Sequence, residues 1–242
     1  MLFRSRTSSR SDLYLLRLGS FRQAGVTTNG RVRLRQEVSF FANRGDTDLD
    51  LVYDDARSLA ELAAGNEERS GRRVEIYGRR RVSPAVDLTA RGERSRDRTS
   101  SDTFASRRFD LRVWRVVPGV AVRATARATV RGSADVAWKT DRDGDRSARL
   151  VRMPVSLRVA RSRRMDAVVR AEIADVAVSG VAAGLAAFEL TDGRGDGRSY
   201  LWGLTVQGAI TGSLRATLAY DGRAPSSGPV IHTGRFQLSA VC

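Results

Sequence analysis

Three short stretches of the sequence contain residue types that could do chemistry. In the first, the spacing of Asp141, Asp143 and Asp145 partly matches that of a calcium-binding loop, whose carboxylates supply the oxygen ligands that Ca²⁺ prefers. Gly144 is in the wrong place for such a loop, however, and Arg152 stands where the closing glutamate would be. A charged hairpin loop is therefore the favoured interpretation.

The other two stretches lie further along the chain. Arg194-Gly195-Asp196 has the letters of an adhesion tripeptide and lies between Gly193 and Gly197. No βαβ pattern surrounds these glycines, so they are not a dinucleotide-binding fingerprint. His232 is the single histidine, and it could act in a Ser/His/Asp arrangement only through tertiary contacts that the sequence does not reveal. A chance tripeptide and a histidine without a chemical role are the favoured interpretations.

Cysteine and histidine are too scarce for most metal and redox chemistry. Cys242 is the single cysteine, so an intrachain disulfide and a thiolate metal site are both excluded. We therefore expect no catalytic residues, no cofactor and no metal ligands. We predict that the protein is not an enzyme.

The net charge of +15 would ordinarily indicate an anionic partner such as nucleic acid, lipopolysaccharide or a membrane surface. Nearly all the basic residues are arginine, with Lys139 the one lysine, and so one-sided a choice partly reflects codon usage. Acidic residues also alternate with arginines, as in residues 141–146, which is an ion-pair pattern and not a continuous cationic track. Charge alone therefore assigns no partner.

Alternation of apolar and polar residues with a period of two runs through most of the chain and predicts β-strands with two different faces. It is clearest at residues 120–130, where valines and alanines share one side and arginines and threonines the other. We predict about 12 strands, which is an all-β fold. They cover residues 13–18, 31–41, 49–53, 73–78, 82–90, 108–116, 120–138, 150–160, 166–178, 200–210, 213–220 and 230–242.

One helix is predicted, over residues 56–68. Ser58 and Glu61 have the spacing of a capping box at its start. At about three turns it would be a short loop helix and not a layer of the core. No window of about 18 consecutive apolar residues occurs, so the sequence predicts no transmembrane helix.

The predicted connections between strands alternate between short and long. The short ones are residues 43–46, 78–81, 117–119, 161–165 and 211–212, and the long ones are 24–30, 54–72, 91–106, 141–146, 179–198 and 221–229. In an up-and-down antiparallel meander, alternate connections fall on opposite rims, so all the short turns would share one rim. Outer-membrane barrels have this arrangement, with short periplasmic turns and longer outer loops. A Greek-key sandwich gives no reason for it.

Alternation does not by itself say which face points inward, because a soluble barrel and a membrane barrel give the same pattern with opposite orientation. Two features favour the membrane barrel: several strands exceed 10 residues, enough to cross a bilayer at a tilt, and Ala124, Ala126 and Ala128 would fill a core poorly. Aromatic residues also lie near predicted strand ends, as in an interface girdle. They are Tyr53, Trp114, Trp138, Tyr200, Tyr220 and Phe236.

Two rows of arginines would then face the lumen. They are Arg123, Arg127 and Arg131 in one row and Arg152 and Arg158 in the other. These rows could leave the lumen basic and selective for anions, or they could pair with lumenal carboxylates. Pairing is the favoured interpretation, because Asp and Glu are interspersed with arginine along the chain.

Residues 16–22 and 29–38 near the start, and residues 220–238 near the end, resemble segments of large bacterial outer-membrane β-barrel surface proteins. The resemblance implies an architecture and not a substrate. It also implies that this chain is the C-terminal part of a longer protein, in line with an N-terminus that has no apolar core of signal-peptide length. Such proteins typically finish on an aromatic residue that their assembly machinery recognises, whereas this chain finishes on Cys242.

We therefore predict a single domain over residues 1–242, an antiparallel up-and-down meander that forms a barrel or a barrel-like curved sheet in the bacterial outer membrane. Its role would be structural, surface-associated or transport-related. The expected partners are outer-membrane lipid, the barrel-assembly machinery and an N-terminal part of the same protein. The alternative is a soluble, arginine-rich β domain that binds nucleic acid or another polyanion, but few aromatic residues interleave with the arginines as stacking platforms.

Overall fold

The computed structural model describes residues 6–22, 25–41, 46–62, 65–102, 104, 107–162, 165–180 and 184–240. They form thirteen strands and one helix. The strands are β1 Arg6–Arg22, β2 Gly25–Phe41, β3 Thr47–Leu62, β4 Gly65–Ser83, β5 Val86–Ser101, β6 Phe109–Thr125, β7 Ala128–Ser133, β8 Asp135–Asp141, β9 Arg146–Ser162, β10 Met165–Ser179, β11 Gly197–Ala209, β12 Leu214–Ala224 and β13 Ile231–Ala240; the helix is α1 Gly184–Thr191. Among the described residues, no helix has the length and apolar character needed to cross a membrane.

All thirteen strands belong to one sheet, and every pairing between them is antiparallel. The strands follow one another in chain order, except that β7 and β8 lie end to end between β6 and β9. The sheet therefore has twelve side-by-side positions, which we call lanes, and β7 and β8 share one of them. The predicted all-β meander of about 12 strands is confirmed. Residues from β4 to β13 line one shared cavity, so the sheet curves around an interior. Among the described strands, no pairing joins β13 to β1.

The break between β7 and β8 has a local cause. Pro118 on β6 and Pro154 on β9 flank Ser133 and Ala134 from the two sides. Proline has no N–H to donate, so it interrupts the hydrogen-bond ladder on either side of this point. The register of β6 is the same before and after the break, so the lane continues in a straight line.

The predicted helix over residues 56–68 is wrong. The described part, residues 56–62 and 65–68, belongs to β3 and β4, which pair with each other and have partners on their other sides in β2 and β5. Ser58, the predicted cap, lies between Arg31 and Arg69 in the ladder. The strand conformation is favoured because neighbouring strands on both sides form hydrogen bonds with its backbone N–H and C=O groups, whereas an isolated helix of this length is only marginally stable.

Several predicted loops are also strand. The strands β1 to β6 extend through residues 25–30, 78–81, 91–101 and 117–119, which were predicted as connections. The continuous strand predicted over 120–138 is instead a hairpin with its turn at Ala126 and Arg127. The predicted connection 43–46 lies outside the described residues except for residue 46, and in the predicted connection 161–165 residues 161 and 162 belong to β9 and residue 165 to β10, with 163 and 164 outside the described residues.

The connections on the two rims still differ in length. On one rim, the described turns are short: residues 84–85, 126–127 and 210–213. On the other, the connections from β5 to β6, from β10 to β11 and from β12 to β13 are longer, at seven, 17 and six residues, whereas the connection from β8 to β9 has four, as many as 210–213. The first two connections on this second rim are exceptions. Only two residues separate Arg22 of β1 from Gly25 of β2, and only two separate Leu62 of β3 from Gly65 of β4. We call the first the short-turn rim and the second the long-loop rim.

The two faces of the sheet have different chemistry. Along β9, Met153, Val155 and Leu157 are exposed on the outer face, while Pro154 and Ser156 alternate with them and line the interior cavity. The same outer face is apolar on the other lanes. Its exposed members include Leu49, Leu51, Val74, Ile76, Leu88, Trp114, Val116, Val120, Trp138, Val169, Ile173, Tyr200, Leu218, Tyr220, Phe236 and Leu238. An outward apolar face is the arrangement of a membrane barrel, and a soluble barrel has the reverse.

Candidate functional site: the lumen and its inserted loop

The interior cavity has a volume of about 1260 Å³ and is lined mainly by polar side chains of the inner face. Its charged members come from six strands. They are Arg79, Asp87, Arg123, Arg131, Arg170, Glu172, Asp221 and Arg223. Five arginines against three carboxylates leave an excess of positive charge in this lumen.

Asp87 is the centre of an ion-pair cluster at the short-turn end of the lumen. It accepts hydrogen bonds from Arg79 at 3.1 Å, from Arg81 at 3.1 Å and from Arg123 at 2.9 Å. The three arginines come from β4 and β6, on the two sides of β5, so the cluster joins three lanes. Arg79 also lies 3.7 Å from Asp48, so two carboxylates face three guanidinium groups and positive charge remains in excess here.

A second pair crosses a strand without touching its side chains. Arg170 on β10 donates to Asp221 on β12 at 2.7 Å, over Gly203 on β11. A Cβ atom at position 203 would lie 2.7 Å from both Arg170 Nε and Asp221 Oδ1. The glycine is therefore required by the ion pair above it, because no side chain fits in that space.

The two predicted arginine rows divide between pairing and exposure. Arg123 pairs with Asp87, Arg152 with Asp135, and Arg158 with Asp166. Arg127 lies in the exposed β6–β7 turn. Arg131 faces the cavity, and it has no carboxylate partner in the described part of the chain. Pairing is thus the commoner outcome, and Arg131 is an exception that contributes free charge to the lumen.

The loop between β10 and β11 enters the barrel at the long-loop rim. Its helix α1 packs on the inner face of β8, β9 and β10, with Ala186 and Leu190 buried. The inner face is apolar at this height. The cluster consists of Phe109, Leu111, Val113, Ala137, Ala148, Leu150, Val176, Ala186 and Leu190. The sequence predicted residues 179–198 as a long outer loop. It predicted neither the helix in this loop nor its position inside the barrel.

Buried charge fixes the end of α1. Lys139 is 5% exposed, and its Nζ donates to the Glu189 carbonyl at 2.6 Å and to Asp192 Oδ1 at 2.5 Å. Arg115 and Arg152 also contact Asp192, at 3.2 and 3.8 Å. A cation at a helix C-terminus is favoured by the helix dipole and by the free carbonyls there. The single lysine of the chain thus connects the sheet to the inserted loop.

Two carboxyl groups near this rim have shifted pKa values for opposite reasons. Burial raises the pKa of Asp97; Arg73 and Lys139 oppose this shift and Glu189 and Glu93 add to it. The hydrogen bond from Arg96 lowers the pKa of Asp110, against the effect of burial. The first group lies on the inner face near α1 and the second on the outer face. Burial thus dominates at Asp97 and the ion pair dominates at Asp110.

The residues that could have done chemistry mostly have structural roles. Asp141 accepts hydrogen bonds from the backbone N–H groups of Asp110 and Asp143 and pairs with Arg146 at 2.9 Å. These contacts organise the β8–β9 turn, and the described residues contain no cluster of three or more potential metal ligands.

The tripeptide of residues 194–196 is also used within the loop. Arg194 pairs with Glu172 at 2.6 Å, and Asp196 accepts a hydrogen bond from the Val178 N–H at 3.0 Å. Gly195 and Gly197 have φ angles of 76° and 96°, which permit the sharp path of the chain here. With its arginine and aspartate both engaged, the tripeptide does not present free side chains.

His232 lies on the outer face of β13 beside two aromatic residues. Its Nδ1 is 2.7 Å from the Tyr220 hydroxyl, and Trp202 meets its ring edge-on at a centroid distance of 5.9 Å. No serine or carboxylate of a catalytic arrangement accompanies it among these contacts. The group belongs to the outward aromatic residues of β11, β12 and β13, and non-enzyme status stays a prediction.

No family model matches the chain, and no curated protein matches it in sequence. The structure is similar to OmpT in an in-vitro folded form, an outer membrane protein of Vibrio cholerae, with a TM-score of 0.50, 9% identity, and coverage of 97% of this chain and 94% of that chain. Its loop L8 deletion mutant gives a TM-score of 0.52 at 9% identity, with 97% and 99% covered. The translocator domain of autotransporter NalP from Neisseria meningitidis aligns with a TM-score of 0.34 and 13% identity, over 98% and 86% of the two chains.

These similarities concern the fold. The chain has the strand order and extent of an outer-membrane β-barrel, and the predicted fold class is confirmed. The similar structures are outer-membrane proteins, in line with the predicted localisation. At 9% identity they assign no activity.

Proposed function

We propose that this chain is inserted in the outer membrane of a Gram-negative-type bacterium, where it forms a water-filled passage narrowed at one end by α1. The observation that carries the proposal is the combination of an apolar, exposed outer face with a charged interior cavity of about 1260 Å³. Lipid would contact the outer face, and solutes would pass through the interior. The role is therefore one of transport.

The charge of the lumen suggests which solutes would pass. Five arginines and three carboxylates line the cavity, and Arg131 and Arg223 have no carboxylate partner among the described residues. Rings of fixed guanidinium groups favour anions and oppose cations in narrow pores. We therefore propose a preference for small anions.

The rims give the proposed orientation. The short-turn rim would face the periplasm and the long-loop rim the outside, as in known outer-membrane barrels. Both ends of the described sheet, at Arg6 and Ala240, then lie on the periplasmic side. We propose outer-membrane lipid and the barrel-assembly machinery as partners.

The test is reconstitution of the full chain. Unboiled and boiled samples from the outer-membrane fraction should migrate differently on a gel, and the purified chain should form ion-conducting channels in planar bilayers. We expect the reversal potential, measured under a salt gradient, to show a preference for anions over cations. Substitution Arg131→Gln should lower that preference, because it removes an unpaired lumenal charge.

The matched control is Arg198→Gln, which removes the same charge from the outer face of β11, where Arg198 lies 3.8 Å from Asp175. The control should leave the reversal potential unchanged. A soluble chain whose affinity for a polyanion falls steeply with salt would contradict the proposal and support the alternative.

A further inference from the structure

The outer face carries one group of residues that is neither apolar nor paired. Arg94, Trp114, Trp138 and Arg149 lie side by side on four neighbouring lanes, each opposite the next in the ladder. Trp114 and Trp138 are 54% and 47% exposed. The Arg94 guanidinium lies over the Trp114 ring, 4.7 Å from its centroid. The centre of this row is thus aromatic and its two ends are cationic.

The next positions toward the long-loop rim add more arginine. Arg96 and Arg112 are opposite each other on β5 and β6, and Arg98 is opposite Asp110 one step further. Asp110 is engaged by Arg96, with its two oxygens 2.7 and 2.5 Å from the guanidinium nitrogens. We call these four residues, together with the row of four below them, the arginine–tryptophan patch; its members are Arg94, Arg96, Arg98, Asp110, Arg112, Trp114, Trp138 and Arg149.

The patch has five arginines and one carboxylate. Arg94, Arg98, Arg112 and Arg149 form no ion pair in the part of the chain that the structure describes. The Arg112 Nε atom is buried and makes no hydrogen bond. Asp110 is paired with Arg96 and also attracts Arg98 and Arg112, whereas the outward Arg72 has Asp55 at 3.0 Å. The excess of positive charge in the patch favours an external anion.

The height of the patch identifies the kind of anion. Directly below the tryptophans, toward the short-turn rim, Val116, Val136 and Val151 continue the apolar outer face. Tryptophan is enriched where the hydrocarbon of a membrane meets its headgroups. The arginines are therefore placed at and just beyond that boundary. A molecule that matches both surfaces has phosphate groups for the arginines and acyl chains for the valines. A nucleic acid has no apolar chain that could pack against the valines.

We propose that the arginine–tryptophan patch binds the phosphate-bearing headgroup of an acylated lipid in the outer leaflet, with its chains against the valines below. The proposal rests on the proposed insertion in the outer membrane. Guanidinium groups bind phosphate through paired, charge-assisted hydrogen bonds, and several acting together fix the headgroup in place.

The test uses the refolded full chain in detergent and lipid A, a phosphorylated and acylated disaccharide, as the probe. Binding is measured by native mass spectrometry and by retention on the immobilised protein. The variant Arg98→Gln, Arg112→Gln and Arg149→Gln should bind lipid A at least about tenfold more weakly, because each lost charged hydrogen bond is worth more than about 1 kcal/mol. Dephosphorylated lipid A should bind the unchanged chain as weakly as lipid A binds the variant.

The matched control is Arg57→Gln, Arg72→Gln and Arg198→Gln, which removes the same charge from outward arginines that have carboxylate partners. It should bind lipid A like the unchanged chain. Equal losses in the two triple variants would overturn the site, since net charge alone would explain the binding. Equal competition by inorganic phosphate or by a DNA oligomer would also overturn it.

Insertion is measured separately, so the two proposals can fail separately. Both triple variants and the unchanged chain should show the same heat-dependent migration after reconstitution in phosphatidylcholine vesicles. A chain that inserts but does not distinguish lipid A from its dephosphorylated form overturns the lipid site alone. A chain that does not insert overturns the proposed function, and with it the lipid site.

Discussion

The inner face of the sheet has two regions with opposite chemistry. Near the short-turn rim it is charged, with Asp87 and its three arginines facing the cavity. At the long-loop rim the same face is apolar, with Leu111 and Leu150 packed against α1. Both regions occur on the same strands, and on β6 the change takes place between Val113 and Arg115.

The difference shows what an apolar residue inside a barrel requires. Exposed to lumenal water, a leucine on the inner face gains nothing, whereas burying it under a helix contributes about 1.5–3 kcal/mol. The inner face is therefore apolar only where a part of the chain returns to cover it. Four predictions separate the two regions, ordered by the size of the expected effect.

The largest effect is expected from Leu190→Ala. Leu190 is completely buried between α1 and the sheet, so its truncation should lower the free energy of docking of α1 by about 2–5 kcal/mol. The loop at residues 180–196 should then become sensitive to protease, and single-channel conductance should rise. Phe188→Ala is the control, because Phe188 is 60% exposed on the same helix; similar changes in both variants would count against a docked α1.

The second prediction concerns the polar attachment of the same helix. Lys139→Met keeps the length of the side chain and removes its charge, which leaves the Glu189 carbonyl without its donor and Asp192 with arginine partners only. We expect a loss of about 1–3 kcal/mol in docking, seen as faster hydrogen exchange in α1. Exchange in β2 and β3, far from the helix, should not change. Unaltered exchange in α1 would mean that apolar packing alone holds it.

The third prediction moves to the short-turn rim. Asp87→Asn removes the carboxylate that Arg79, Arg81 and Arg123 share and leaves only Asp48, 3.7 Å from Arg79, beside them. The lumen contains water, so we expect only about 1 kcal/mol of lost stability but a clear rise in anion preference, measured as a reversal potential. Asp143→Asn in the β8–β9 turn is the control. A reversal potential that stays the same would show that this cluster does not face the path of the ions.

The smallest effect is expected from Asp97→Asn. Burial raises the pKa of Asp97 above that of an unfolded carboxyl, so its charge costs stability at neutral pH, and protonation restores that stability as the pH falls through the raised value. Its neighbours Glu93 and Glu189 act in the same direction, and Arg73 and Lys139 oppose them. The asparagine variant should therefore unfold at slightly higher denaturant at neutral pH. The difference should vanish once the pH is below the ordinary carboxyl range, and a lower midpoint at neutral pH would contradict the sign.

Alternation predicted most of the strands, and the same property hid one of the turns. In the β6–β7 hairpin, Val122 pairs with Val130, so even-numbered residues face outward on both strands. The alternation thus runs through the turn without a break. Ala126 and Arg127 offer no glycine, proline or asparagine to mark it. Pro118 and Gly119 are marked as a turn by composition, yet they lie within β6, opposite the break between β7 and β8.

The site was harder to predict than the sheet, because it depends on contacts distant in the chain. The pairing of Arg123 with Asp87 joins residues 36 apart, and that of Arg170 with Asp221 joins residues 51 apart. Helix α1 has eight residues, too few for a helical period to stand out. Its stability comes from the apolar inner face that it covers, so only the folded sheet reveals it. The outward arginines of β5 lie in residues 91–106, which the sequence predicted as a loop because they are polar and charged.

The length of β3 and β4 has a consequence for the cell surface. The outward apolar residues of β4 begin at Val74, and the nine residues from Gly65 to Arg73 continue the strand beyond them. At about 3.3 Å per residue and a tilt of about 40°, this hairpin would stand roughly 20 Å above the hydrocarbon boundary. The part seen first by an antibody or a phage would then be paired strand and not a loose loop. Antibodies raised against intact cells should therefore recognise a conformational epitope and lose their binding to the boiled protein.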